Sequence, residues 1–211
     1  MSSVEFACEL TDDERAALLD VVRRSIAHGL RHRRPLAVDV TQYSGLLCAW
    51  HACFVTLRLR DHLRGCMGSL APIGPLIQAA AHHAFQAAFR DPRFPPVAAD
   101  ELSRLSVSLS ILSPAEPLEF ADEADLLARL RPGIDGVILS TGRKTATLLP
   151  QVWDHVPDRR VFLANLKRKA GLPENYWSSG LRFQRYRAVC ISESAGDSES
   201  ASAVPPDKDA P

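Results

Sequence analysis

The 211-residue chain lacks a C-x-x-C pair, an apolar run near the ~20 residues of a membrane span, and an excess of either charge. Its five cysteines, Cys8, Cys48, Cys53, Cys66 and Cys190, are an odd number. That pattern argues against an oxidised framework or a structural zinc knuckle and suits a reducing compartment. The 25 basic and 25 acidic side chains cancel. A dedicated binder of nucleic acid or of an anionic membrane needs a summed positive field, so neither is expected as a partner. The first ten residues have no basic n-region and no apolar core of a signal peptide, which makes the cytoplasm the expected compartment. There is no G-x-G-x-x-G, Walker loop, H-E-x-x-H or G-x-S-x-G.

What is present is a chain 46% hydrophobic and 24% charged, enough for one or two compact domains. Thr11 with Glu14 reads as a capping box, and Leu18, Leu19, Val22, Ile26 and Leu30 recur at helical spacing, so a helix is expected over 11–34. Arg31, Arg33 and Arg34 suit its negative end and Pro35 stops it. Residues 52–57 and 63–66 read as a β-hairpin turning at Arg60-Asp61-His62. Pro75 opens an Ala-rich helix reaching about Arg90, and Asp91-Pro92-Arg93-Phe94-Pro95-Pro96 forms a stiff loop. Alternation over 106–111 marks a strand, and Leu126, Leu127 and Leu130 a short helix after Asp122. A second hairpin spans 136–149 around Thr141-Gly142-Arg143-Lys144. Helices are expected at about 150–156 and 158–170, the latter ended by Gly171, then one strand over about 182–192. Hairpins interrupted irregularly by helices make the chain α+β, with an extension at 1–10, one domain over 11–193 and a tail at 194–211. The tail carries Asp197, Glu199, Asp207 and Asp209 against Lys208. Its composition is too poor in large apolar side chains to fold alone, so it is expected to be disordered.

The chemistry concentrates at Leu63-Arg64-Gly65-Cys66-Met67-Gly68. Glycine is otherwise sparse, 11 in the chain, and here two glycines flank a cysteine that follows an arginine. Such a site can lower a thiol pKa through nearby N–H groups and a cation; equally, Cys66 can be a small buried hydrophobe. Arg64 can hold an anion or pair with Asp91. His82 or His83 can serve Cys66 as a base or be ordinary helix residues. His51, Cys53 and Cys66 would make a poor metal cluster without a fourth ligand, and no metal is expected.

Leu63-Arg64-Gly65-Cys66-Met67-Gly68, Asp91-Pro92-Arg93-Phe94-Pro95-Pro96-Val97, Leu149-Pro150-Gln151-Val152 and Lys169-Ala170-Gly171-Leu172-Pro173 fall in the order known from one family. Over about residues 10–193 the chain resembles the AmmeMemoRadiSam system protein A family, related to the protein named after the AMME contiguous-gene syndrome. The resemblance implies two unequal lobes built on antiparallel sheets flanked by helices, with the glycine-cysteine motif near a groove. It also implies two partners, a Memo-type protein resembling extradiol dioxygenases and a radical S-adenosylmethionine enzyme; it names no cofactor. Met67 stands where isoleucine is usual, and Lys167 where many relatives carry a second cysteine. Two functions remain open. In one, Cys66 is a nucleophile, Arg64 and the flanking amides stabilise an anion, and Gly65, Met67, Gly68, Asp91 and Arg93 line the groove. In the other, the same residues form the docking face of a non-catalytic adaptor.

Overall fold

The structure, a computed structural model, describes residues 10–193. The expectations for the tail and for the extension before Leu10 lie outside the described residues. The capping box forms: Thr11 Oγ1 accepts the Glu14 N–H at 3.2 Å and the Glu14 carboxylate accepts the Thr11 N–H at 2.9 Å. It starts α1 (Asp12–His32), whose Leu18, Val22 and Ile26 are wholly buried. The helix stops before Pro35 is reached. Arg33 takes a left-handed conformation, φ 56°, and its N–H bonds Gly29 O.

The first hairpin joins β1 (Ala52–Leu59) to β2 (His62–Gly68) through Arg60 and Asp61, both at positive φ, so His62 belongs to the strand. Two consecutive left-handed residues give the turn whose twist matches antiparallel strands. Helix α2 (Leu76–Phe89) follows, with Pro75 as its N-cap rather than its first helical residue. Ten of its fourteen residues are buried, and α1 approaches it where Gly29 leaves room for the rings of Phe85 and Phe89. After a 3-10 turn at Ala99–Arg104 comes β3 (Leu105–Leu112).

Contacts within the chain define two units, residues 10–111 with 190–193, and residues 112–189. The second unit holds β4 (Glu116–Pro117), α3 (Glu123–Arg129), β5 (Gly136–Thr141), β6 (Lys144–Leu148), α4 (Arg159–Lys169) and β7 (Arg182–Tyr186). Asp122 caps α3, and the β5–β6 connection is two residues, Gly142 and Arg143, rather than four. The segment 150–154 is a 3-10 turn rather than an α-helix. Gly171, φ 68°, ends α4 in a Schellman motif: its N–H bonds Arg168 O, and the Leu172 N–H bonds Lys167 O.

The single strand expected over 182–192 is two. It breaks at Arg187, and β8 (Ala188–Ser192) joins the other sheet. The first sheet runs β2-β1-β3-β8 and the second β4-β7-β5-β6, the latter antiparallel throughout. The fold is α+β. The second unit's core gathers Leu126, Leu139, Phe162, Leu166 and Phe183 around Trp153, which stacks on Phe162 at 3.7 Å and donates its indole N–H to Asp135 O.

Candidate functional site

In the first sheet, residue parity sorts the two faces. Val55, Leu57, Val107, Leu109, Ile111 and Ile191 are buried, whereas Thr56, Arg58, Ser106, Ser108, Cys190 and Ser192 are partly or fully exposed. Strand period two puts Arg64, Cys66 and Gly68 of β2 on the second face and Gly65 and Met67 on the first. Gly65 is a glycine because α2 lies against it: a Cβ there would stand 2.1 Å from Ala87 O. Gly68 leaves room for the Phe54 ring and Cys53 O, each 2.4 Å from such a Cβ. Neither glycine has a positive φ, so close approach explains both.

Cys66 stands opposite Thr56. Its N–H points away from β1, toward the sheet edge, which makes the two residues a non-hydrogen-bonded pair with close side chains. Thr56 Oγ1 accordingly lies 3.3 Å from Cys66 Sγ. The outward N–H of Cys66 donates to Asp91 Oδ2 at 2.9 Å, and Arg93 Nη2 donates to Cys66 O at 3.2 Å. The loop after α2 thus covers the edge strand with a carboxylate and a guanidinium in place of a neighbouring strand. Arg93 also holds Asp91 in two bonds, 2.9 and 2.6 Å. These bonds, helped by the Cys66 and Arg93 amides, keep the buried Asp91 carboxyl well below the usual carboxylate range against the opposing effect of burial. Asp91 keeps Arg93 firmly protonated in turn, with a smaller contribution from neighbouring Cys66.

Arg64 does not pair with Asp91. It holds Glu101 in two bonds, 2.7 and 2.8 Å, and donates to Pro95 O and Pro96 O at 2.8 and 3.2 Å. The physical reason is reach: Asp91 meets Cys66 and Arg93 at the strand edge, while the proline-stiffened loop carries Glu101 back over Arg64. The Arg64 hydrogen bonds draw the Glu101 carboxyl down to about 2.

Neither histidine reaches Cys66 as a base. His83 is buried and its Nε2 lies 3.2 Å from Ser69 Oγ, whose hydroxyl donates to Ala71 O at 2.6 Å. Burial, then the neighbouring His82, pushes the His83 imidazole down to about 4, so it is neutral at pH 7. His82 lies beside the Gln86 amide, 3.4 Å away. Cys53 is buried on the core side, and burial pushes its thiol up to about 12. Among the described residues no three His, Cys, Asp or Glu side chains converge to hold a metal ion. Sequence reasoning did not find Thr56 or Glu101. Thr56 needs the hairpin register to be seen opposite Cys66, and the 37 positions between Arg64 and Glu101 leave no spacing signal. Of the residues it singled out, the structure joins Cys66, Asp91 and Arg93 by hydrogen bonds, whereas Arg64 turns to Glu101 and Gly65 and Met67 lie on the other face of the sheet.

An edge strand clipped by an Asp-x-Arg loop and a cysteine between two close-packed glycines mark this α+β chain. The AMMECR1 family profile matches residues 19–191, and the chain belongs to that family. A protein of Methanothermobacter thermautotrophicus is 37% identical over 188 residues, 87% of this chain and 96% of that one. A protein of Methanocaldococcus jannaschii is 39% identical over 160 residues, 74% of this chain and 80% of the other. The crystal structure of an uncharacterized protein from Pyrococcus horikoshii superposes with a TM-score of 0.81 at 31% identity, covering 87% of this chain and 93% of that chain. Among the described residues no helix is long and apolar enough to cross a membrane.

Proposed function

We propose that this domain is an adaptor that docks protein partners through the face carrying the glycine-cysteine motif, rather than a thiol enzyme. One observation carries the reading: the groups that would activate Cys66 are engaged elsewhere. Its amide serves Asp91, Arg64 serves Glu101 and two carbonyls, and His83 lies against Ser69. A nucleophilic cysteine needs a base within hydrogen-bond reach, and the hydrogen-bond partner of this thiol is a threonine hydroxyl. The far end of the hairpin also offers anchors. Trp50, whose backbone pairs with Pro75, is 66% exposed, and Ile73 is 49% exposed. Tryptophan is, with tyrosine and arginine, enriched among the interface residues that dominate binding energy. The family resemblance supplies the partners to try first, a Memo-type protein and a radical S-adenosylmethionine enzyme, in a reducing cytoplasm that suits the free thiols of Cys48, Cys53, Cys66 and Cys190.

The test is co-purification of the full chain with these two proteins. Trp50→Ala is expected to weaken capture about tenfold or more, and Cys66→Ser to leave it unchanged. Capture left unchanged by Trp50→Ala overturns the docking assignment. The catalytic reading keeps one specific support, the Arg93 guanidinium beside the thiol. It predicts Cys66 alkylation whose rate follows a pKa clearly below the unperturbed value of ~8.5; a profile at or above that value removes it.

A further inference from the structure

The two ends of the first unit differ in charge. Between Asp39 and Arg58, and again between Arg64 and Arg90, the chain carries no Asp, Glu, Lys or Arg. Both stretches meet at the end where Trp50 pairs with Pro75. The opposite end gathers three pieces of chain. Ser25 of α1 donates to Ala81 O of α2, and Gly29 lies against Phe85 and Phe89, so the two helices run side by side and finish together. Gly65 lies against Ala87, and Ser69 Oγ stands 3.2 Å from His83 Nε2. Strand β2 therefore runs opposite to α2, and the hairpin turn that precedes it reaches the C-terminus of that helix.

Five arginines stand exposed at that end: Arg31, Arg33 and Arg34 at the close of α1, Arg60 in the hairpin turn and Arg90 at the close of α2. None of their guanidiniums makes a hydrogen bond or ion pair among the described residues. The acids of these segments do not match them. Asp91 is engaged by Arg93 and the Cys66 amide, which leaves Asp61 as the exposed carboxylate. Cations at helix C-termini offset the carbonyl dipoles, about half a charge per helix, so two helix ends account for about one of the arginines. The excess acts on its neighbours: the His28 imidazole is held below its ordinary 6.5, through burial first and then through His32, Arg34 and Arg31. Like charges concentrated in this way repel, and an anionic partner relieves the repulsion.

The form of the patch selects among anions. Guanidinium forks match carboxylates in paired bonds. Adjacent helix axes lie about 10 Å apart, so two helix ends and a hairpin turn span about 20 Å, the length of about six extended residues at ~3.3 Å each. The net charge of the chain is zero, so acids elsewhere repel a long polyanion laid past the patch, whereas a short acidic segment fits within it. Residues 31–34, 58–62 and 90–93 hold no Phe, Tyr or Trp on which a nucleic-acid base could stack.

We infer that this end of the first unit docks a short acidic segment of a partner protein, a run of Asp and Glu laid across Arg31, Arg34, Arg60 and Arg90. The surface lies apart from Trp50, and the inference does not rest on that contact. The experiment is a fluorescence-anisotropy titration of the full chain with labelled hexaglutamate, with labelled hexathymidylate as the nucleic-acid probe and sedimentation with phosphatidylserine vesicles as the membrane probe. It is repeated on Arg31→Glu with Arg34→Glu, on Arg60→Glu with Arg90→Glu, and on Arg143→Glu, an exposed arginine of the second unit, with circular dichroism confirming each fold. Saturable binding of hexaglutamate is expected, weakened about tenfold or more by either double variant and unchanged by Arg143→Glu. Binding should also weaken as salt rises from about 50 to about 200 mM. No saturable binding overturns the inference, as does a loss in Arg143→Glu as large as in the double variants. Binding that either double variant leaves unchanged overturns it as well. Tighter binding of hexathymidylate or of the vesicles than of hexaglutamate overturns it too, and reassigns the patch to nucleic acid or to an anionic membrane.

Discussion

The two units treat their arginines differently. In the first unit, Arg64, Arg93 and Arg23 each end on a carboxylate and on backbone carbonyls: Arg64 on Glu101, Pro95 and Pro96; Arg93 on Asp91 and Cys66; Arg23 on Glu193, Leu102 and Leu105. In the second unit Arg131 is satisfied in the same way, but Arg185 keeps a buried donor unmet. The comparison teaches that a concentration of chemically suggestive residues can be a structural clip. In the first unit, paired charges hold a loop on a strand edge. In the second, the sequence shows only ordinary arginines on a strand, and a buried donor there goes without a hydrogen bond.

The glycines sharpen this contrast most. A Cβ on Gly65 would sit 2.1 Å from the backbone carbonyl of Ala87, on a helix with ten of its fourteen residues buried. A Cβ on Gly136 would sit 2.4 Å from the ring of Tyr186. A backbone carbonyl inside a packed helix cannot step aside, whereas a ring can tilt. Gly65→Ala is therefore expected to cost about 3 kcal/mol in urea unfolding, and Gly136→Ala about 1–2 kcal/mol. Equal losses would mean that β2 and α2 can move apart cheaply, and the clip reading would lose its basis.

The acid limb of stability gives the next effect. Glu101 has its carboxyl drawn from 4.5 to about 2 by Arg64. A carboxylate depressed in the folded state contributes stability that is complete above its unfolded pKa and is lost as pH falls through the folded value. Glu101→Gln should lower stability at pH 7 by about 1–3 kcal/mol and flatten the fall between roughly pH 4.5 and 2. An unchanged acid limb in denaturant titrations across that window would show that Arg64 gains nothing from this partner.

Much of this organisation was legible in the sequence, because local rules governed it. The Thr11–Glu14 box, the Asp122 cap and the Gly171 stop depend on neighbours a few residues away, and each formed. The misreadings share a cause in long-range geometry. Residues 182–192 carry an unbroken β pattern, and nothing local says that the chain changes sheets at Arg187. Arg64 with Asp91 was a pairing by charge alone, and the choice between Asp91 and Glu101 depends on where a proline-stiffened loop returns. Cys66 stood out in sequence because glycines flanked it. Their cause is the close approach of α2 and of Phe54, which only the packing reveals.

The smallest expected effect belongs to His83, and its sign follows from burial. The imidazole is pushed down to about 4 by desolvation and by His82, from an ordinary 6.5. Between those values the unfolded chain binds the proton more readily than the folded one, so stability rises with pH across that window. The histidine's contribution is fully present above about pH 6.5 and is lost as pH falls through 4. Ser69 bears on this balance directly: its hydroxyl donates to Ala71 O, so the imidazole's Nε2 acts as the donor toward Ser69 Oγ, consistent with the neutral ring. His83→Gln removes the ionisable ring and keeps a side-chain N–H for Ser69. It should leave stability at pH 7.5 within about 1 kcal/mol and reduce the loss on going to pH 5 by a similar amount. Direct titration of the His83 ring by NMR checks the same point without a substitution. A midpoint near 6.5 would show that water reaches the ring, and that α2 is packed less tightly against the Ser69 turn than the hydrogen bond implies.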